Sequence, residues 1–252
     1  MTKDSISWII VNNSLKLTTK NLIRGNKFYN EKIIFSNDQE YRVWKPYKSK
    51  LAAAILNGLE ILPIIEKSRV LYLGTSAVVT LSHISDIIGA EGVVYAVEHS
   101  HETAKELIEK LVQKIDNIKP IIMDMTKPSQ YEIIDGKVDV VYVDVEQSKE
   151  VEIALLNCKM HLRVGGYLLF IVKTRSVDQY QGKKFIINDK SELVNTTEEI
   201  NTKKYTTMDS LKVNFEILQQ IPADFFKEYI YSYKIFRLEY IFIHLILNTN
   251  KL

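Results

Sequence analysis

The chain is poor in the residues that define several protein classes. Its 252 residues contain a single cysteine, Cys158, so no internal disulfide framework can form and a reducing compartment fits. No cluster of cysteine and histidine has zinc spacing, so no metal is expected. Proline (5) and glycine (9) are scarce, which excludes collagen-like and low-complexity classes. Net charge is only +2, too little to mark the whole chain as a nucleic-acid binder, although a local basic face remains open. The apolar run "YIFIHLIL", residues 240–247, is too short to span a bilayer as a helix, and "MTKDSISWIIVNNS" does not read as a signal peptide. No membrane contact is expected. Apolar (46%) and charged (25%) residues are present in ordinary globular proportion, enough to bury a core.

Periodicity divides the chain. Residues 1–40 contain short alternating runs, "SWIIVN", "LKLTT" and "EKIIFS", as in a small antiparallel sheet. The spacing in "KSKLAAAILNGLE" (48–60) predicts a helix with Ser49 as N-cap. Strands are then expected at 69–74, 92–100, 119–124, 137–146 and 166–174. Helices are expected at about 80–88, 101–115 and 149–163. That alternation predicts an α/β fold with a parallel, Rossmann-like sheet. Residues 178–210 read as a polar loop or helix, and 213–247 as two or three antiparallel edge strands.

Open sheets of this kind bind ligands beyond the carboxyl ends of their strands. Three acids stand there: Glu98, Asp124 and Asp144. A carboxylate ending the second strand can accept from ribose hydroxyls. The third can meet a base edge, and the fourth lies beside a reacting group. Each acid singly could be a solvated loop residue; the set of three favours a ligand. S-adenosylmethionine and a nicotinamide nucleotide both fit. The loop "GTSAVVTLSH" (74–83) lacks the G-x-G-x-x-G that close approach to a pyrophosphate requires, which favours the cofactor without one.

The segments "TKNLIRG", "YNEKI", "EYRVWKPYKSKLAAAIL" (40–56), "GAEGVVYAVEHSH" (89–101) and "VDVVYVDVEQ" (138–147) resemble the fibrillarin family, more its eukaryotic than its archaeal branch. The likeness is dense from about residue 7 to 178 and looser to about 236. It implies a small N-terminal β domain (1–47) and a methyltransferase domain (48–252), divergent from about 178. It implies S-adenosyl-L-methionine as cofactor and methyl transfer to ribose 2′-hydroxyls of rRNA, with a part in pre-rRNA processing. The implied partners are a box C/D guide RNA, the rRNA substrate and a Nop-type scaffold protein, and the implied location is the nucleolus of the nucleus. Two other readings compete: a catalytically weakened structural subunit of the same particle, and a stand-alone methyltransferase with another substrate, such as protein glutamine.

The resemblance assigns catalysis to Lys50, Asp144 and Lys173. A lysine at a helix N-terminus sits in an unfavourable field, which suits a lysine that must act as a base. Lys45, Lys48 and Arg175 extend a candidate basic rim. For the cofactor the match carries over to Gly74, Thr80, Glu98, Asp124, Asp144 and Gln147. Val79, His99, Met125, Val145 and Glu146 join them in the same strand-end segments. His83 is expected to be structural. The chain departs from the family where Ala77, Val78 and Val79 replace serine, glycine and threonine. Val78 resists positive φ, so a loop that needed that conformation would be rearranged. Loss of the hydroxyl at Val79 removes a hydrogen bond worth about 0.5–1.5 kcal/mol. Glu146 adds a charge and Ser148 replaces a proline. The family ends its sixth strand with a histidine before a final strand, and either Tyr229 or His244 is expected to take that place.

Overall fold

A computed structural model of the chain describes residues 6–59, 61–74, 78–145, 149–173, 185–187, 193–195, 226–235 and 240–247, and from residue 172 onward the backbone alone. The first part is a four-stranded antiparallel sheet of β1 (Ser7–Val11), β2 (Ser14–Lys20), β3 (Ile33–Ser36) and β4 (Gln39–Val43), in the order β1-β2-β4-β3. Two tight turns set its registers. Asn12 and Asn13 (φ 49° and 57°) join β1 to β2, and Asn37 and Asp38 (φ 49° and 59°) join β3 to β4. Paired positive φ values are what a two-residue hairpin needs, and Asn and Asp tolerate them best.

The strand β4 is not anticipated by hydrophobic alternation, because its pattern is inverted. Glu40 and Arg42 point inward and are buried, while Tyr41 and Val43 are only half-buried. Arg42 is fully enclosed. Its Nε donates to Glu31 Oε1 at 2.7 Å, Nη1 to Asp86 Oδ2 at 3.0 Å, and Nη2 to Ser82 Oγ at 2.8 Å. Burial opposes the Glu31 charge, yet the Arg42 guanidinium and the N–H groups of Phe28 and Tyr29 hold its carboxyl below the usual range. Burial pushes the Asp86 carboxyl up, against the pull of Arg42 and the hydrogen bonds from Thr19 and Leu22. His83 completes the cluster. It stacks on Trp44 at 4.8 Å and lies between Thr19 Oγ1 (2.6 Å from Nδ1) and the Tyr29 hydroxyl (2.7 Å from Nε2). Thr19 Oγ1 also donates to Asp86 Oδ2 at 2.6 Å, and the Tyr29 hydroxyl donates to Val43 O at 2.8 Å. The His83 ring is neutral, because burial and the nearby Arg42 charge hold its pKa well down. The structural role expected for His83 is the one it has.

The second part is a seven-stranded sheet. β5 (Arg69–Leu73), β6 (Val93–Glu98), β7 (Ile118–Ile122), β8 (Val138–Val143) and β9 (Leu162–Lys173) run parallel, and β12 (Phe226–Ile235) and β13 (Tyr240–Leu247) add an antiparallel pair. The order is β12-β13-β9-β8-β5-β6-β7. Thus β13 lies between β9 and β12. A short separate hairpin pairs β10 (Phe185–Ile187) with β11 (Leu193–Asn195). The expected parallel sheet, with antiparallel strands at one side, is the one observed.

Helices cover both faces: α1 (Lys50–Leu56), α2 (Val78–Ile88), α3 (His101–Leu107) and α4 (Glu150–His161). α1 is shorter than expected, but its cap is as predicted, with Ser49 Oγ accepting from the Ala52 N–H at 3.3 Å. α3 gives way to a π turn over Ile108–Val112 instead of continuing as one α-helix to 115. Side chains of β5 alternate between two cores, as a doubly covered strand requires. Val70 and Tyr72 join the core that holds α1, α2 and also Leu17, Phe28 and Trp44 of the N-terminal part. Leu71 and Leu73 join the core under α4. Among the described residues no helix is long and apolar enough to cross a membrane.

Candidate active site

The parallel strands β5, β6 and β8 deliver their carboxyl ends to one edge. At β5 that end is Gly74. Its φ of +87° suits glycine, and a Cβ built there would overlap the backbone carbonyl oxygen of Asp144. The ladder continues into the turn, with Gly74 N–H donating to Val97 O at 3.1 Å and Asp144 N–H to Leu73 O at 3.0 Å. Gly74 therefore brings the ends of β5 and β8 together, a close approach that only glycine permits.

Asp144 is 3% exposed. Its Oδ1 receives Lys50 Nζ at 2.5 Å, from a residue ninety-four positions earlier in the chain. Its other oxygen, Oδ2, is buried and has no hydrogen-bond partner among the described residues. A buried, unpartnered carboxylate oxygen is costly, so a ligand that meets it with a donor or a positive charge gains by doing so. Lys50 is the first residue of α1, and its side chain keeps about a quarter of its surface exposed (23%). Its tip is held by Asp144 while the side chain as a whole remains partly exposed.

Beneath this pair lie two tyrosines. Tyr72 of β5 and Tyr142 of β8 are paired in register and stacked, with centroids 4.5 Å apart. Burial drives the Tyr72 phenol well above its ordinary pKa; the Asp144 charge adds to this, and the Thr80 and Tyr142 hydroxyls oppose it. Tyr142 is pushed up by burial, then by Tyr72 and Asp144. Both phenols stay neutral and form a floor of low polarity, on which the Lys50–Asp144 interaction is stronger than it would be in water.

Glu98 ends β6 and is 5% exposed. Its Oε1 accepts from the N–H groups of His99 and Ser100, each at 2.9 Å, and His99 Nδ1 lies 3.4 Å away. The carboxylate is therefore oriented before any ligand arrives. Asp124 differs: it is exposed, and its Oδ1 receives both the N–H (2.9 Å) and the hydroxyl (2.7 Å) of Thr126. Those two hydrogen bonds hold its carboxyl below the usual range. Met125 and Val145 are buried and pack in the core under α4, so their side chains support the strand ends. Thr80 is 1% exposed, and its hydroxyl lies 2.9 Å from Ser49 Oγ.

Val78 takes a place different from the one its sequence position implies. It is the first residue of α2, is absent from the positive-φ residues, and packs in the core with α1. At this residue the chain needs no positive φ. Val79 follows within the helix and is partly buried against the same core. Residues 75–77, which include Ala77, lie outside the described residues, as do Glu146, Gln147, Ser148 and Arg175. Lys173 closes β9 and pairs in register with Tyr240 of β13. Tyr229 lies inside β12 and His244 inside β13, so neither stands at the connection between those strands. Among the described residues no group of acids, histidines and cysteine could hold a metal ion.

Sequence reasoning missed Arg42 and Ser82, whose buried contacts seat α2 against the N-terminal sheet. The Asn37–Asp38 pair after "IIFS" is the signal that could have revealed β4 and its inward Arg42. It also missed the Ser49–Thr80 contact, for which sequence offers no signal.

The fibrillarin family model matches residues 3–221. A fibrillarin-like rRNA/tRNA 2′-O-methyltransferase of Methanocaldococcus jannaschii is 44% identical over 179 residues, 71% of this chain and 77% of that protein. The protein of the same description from Pyrococcus furiosus is 41% identical over 196 residues, covering 76% and 86%. Among solved structures, Aeropyrum pernix fibrillarin with natively bound S-adenosyl-L-methionine superposes with a TM-score of 0.77 at 31% identity, covering 96% of this chain and 94% of that one. A fibrillarin/Nop5p complex gives 0.69 at 30% identity, covering 95% and 97%. With its small antiparallel sheet, its mixed seven-stranded sheet and a family match over most of its length, this chain belongs to the fibrillarin family.

Proposed function

We propose that this protein transfers a methyl group from S-adenosylmethionine to ribose 2′-hydroxyls of rRNA, at nucleotides chosen by a box C/D guide RNA and on a particle held by a Nop-type scaffold. The observation that carries the reading is the Lys50–Asp144 pair, set beside buried acceptors at the ends of β5, β6 and β8. The relatives named above are described as 2′-O-methyltransferases, and one structural neighbour is bound to Nop5p.

The residues fit the cofactor. Glu98 is buried, pre-oriented and an acceptor, as a ligand with ribose hydroxyls requires. Asp124, on the neighbouring strand end, offers an exposed carboxylate to the adenine side. The unpartnered Oδ2 of Asp144 suits a cationic centre. When bound, S-adenosylmethionine supplies an electrophilic methyl group on a positively charged sulfur. A ribose hydroxyl is a weak nucleophile until its proton is removed. Lys50 Nζ, held in place by the Asp144 carboxylate, is assigned to assist removal of that proton. Lys173, at the end of β9, is assigned to RNA phosphate or to the developing alkoxide. With a net charge of +2, the chain leaves most RNA holding to its partners.

The test is a reconstituted particle with guide RNA, substrate RNA and labelled cofactor. Label is expected on the guide-paired nucleotide. Absence of cofactor binding at millimolar concentration would end the proposal. Residence in the nucleolus belongs to the same proposal and rests on the resemblance alone; a tagged chain found only outside the nucleus overturns it.

A further inference from the structure

Thr80 falls, by family likeness, among the cofactor contacts, but its hydroxyl is buried and engaged elsewhere. We infer that Thr80 is a positioning residue for Lys50, acting through Ser49. This inference rests on the assignment of Lys50 as the base.

Ser49 immediately precedes Lys50 and caps α1 through its Oγ, which accepts from Ala52 N–H at 3.3 Å. That oxygen also lies 2.9 Å from Thr80 Oγ1, and both residues are buried, 3% and 1% exposed. The contact joins the start of α1 to the first turn of α2, two helices whose N-termini are otherwise separate in sequence. Tyr72 stacks on Tyr142 across β5 and β8. Two residues beyond Tyr142 is Asp144, which meets Lys50 at 2.5 Å. Lys50 is thus supported from two sides, by Ser49 and Thr80 at the start of its helix and by Asp144 at its tip.

Support from two sides has a mechanical consequence. Lys50 hangs on a flexible four-carbon stem, and pairing with Asp144 fixes only its tip. The place of its Cα is set by α1, a helix of seven residues with a single long cap bond. The Thr80 hydroxyl adds the second restraint, which ties the N-terminus of α1 to α2. Catalytic groups must be held to well under an ångström, so loss of such a restraint is read in turnover rather than in cofactor affinity.

The experiment compares Thr80→Val, which keeps shape and removes the hydroxyl, with Thr80→Ser, which keeps the hydroxyl. In the reconstituted particle, Thr80→Val is expected to lower kcat about tenfold, with the cofactor Kd changed less than about twofold. Thr80→Ser is expected to restore the rate. Ser49→Ala should reproduce the loss, and the double variant should be no worse than either single one, because the two hydroxyls act as a unit. Ser49→Ala also serves if Thr80→Val does not fold. A weakened cofactor Kd with kcat retained would make Thr80 a cofactor contact and overturn the inference.

A second readout does not need methylation. Amines of the free protein are labelled with an activated ester, and the Lys50 peptide is quantified by mass. Labelling of Lys50 is expected to rise about threefold in Thr80→Val and Ser49→Ala and not in Thr80→Ser. Unchanged labelling in the valine variant overturns the positioning role. A wild-type particle that methylates nothing would sink the proposed function instead, while the labelling ratio still decides this one.

Discussion

Lys50 Nζ and Asp144 Oδ1 meet at 2.5 Å, and only the lysine reaches solvent: its side chain is 23% exposed against 2% for the aspartate. The pair is therefore asymmetric. Lys50→Ala removes the base and strands a buried carboxylate. Methylation is expected to fall by about 10²–10⁴-fold. Stability is expected to fall by about 1–3 kcal/mol, the cost of an unsatisfied buried group. Lys50→Arg keeps the charge and the stability but not the activity, since a guanidinium does not give up its proton. Turnover in the reconstituted particle and urea unfolding of each variant check both halves. Full activity in the alanine variant removes Lys50 as base.

The network around Arg42 predicts a folding defect remote from the chemistry. Arg42→Met leaves Glu31 and Asp86 buried without their cation. Removing one partner of a buried pair costs about 3–5 kcal/mol, a large share of the stability of a domain this size. Urea midpoints should drop accordingly. Arg42→Lys is expected to recover little, because one ammonium cannot replace three directed donors.

Stability should fall as pH drops below neutrality. His83 is neutral in the fold, held down by burial and then by Arg42, and His161 is lowered chiefly by burial. Both take up a proton in the unfolded chain near pH 6.5, the ordinary histidine value. Below that pH the unfolded state binds protons that the folded state refuses, so the contribution is complete above it and is lost on acidification. Each histidine adds a slope of up to about 1.4 kcal/mol per pH unit. Unfolding free energies between pH 7 and 5 are expected to show it, and His83→Gln should flatten the slope. An unchanged slope in that variant would place the titration elsewhere.

Restoring the family glycine at position 78 should not repair anything. Val78 starts α2 and packs in the core. Val78→Gly loses about 0.3–0.5 kcal/mol of helix propensity and about 1.5 kcal/mol or more of side-chain burial. The expected result is a lower melting temperature with no gain in cofactor affinity by calorimetric titration. A tighter Kd in the glycine variant would show that the valine does crowd the site.

Gly74→Ala tests the strand fork. A Cβ there meets the Asp144 carbonyl in a backbone conformation that side chains avoid, so a loss above about 2 kcal/mol is expected. Thermal unfolding measures it directly.

The parallel sheet was legible because β5, β6 and β8 are covered on both faces and read as apolar runs ending in Gly74, Glu98 and Asp144. The strand β4 was not, since its inward residues are charged and its apolar ones face out. Periodicity reports which side is greasy, and here the buried side is satisfied by ion pairs instead. The site shows the same division. Asp144 and Glu98 announce themselves by type and by place at strand ends, whereas Lys50 is singled out through the family resemblance. Thr80 is assigned to the cofactor by the family match alone, and nothing in the sequence signals the contact its hydroxyl makes. Its partner, Ser49, lies thirty-one residues away and in another helix, a distance over which sequence carries no geometric information.

The placement of β13 between β9 and β12 bears on how the protein is made. β9 is finished when residue 173 has been synthesised, yet its ladder partner is Tyr240–Leu247. For all the time in between, the growing chain carries an open strand edge with unpaired N–H and C=O groups, the kind of surface that captures other strands. Ribosomal pauses after residue 173 lengthen that exposure, and a chaperone that shields the edge shortens it.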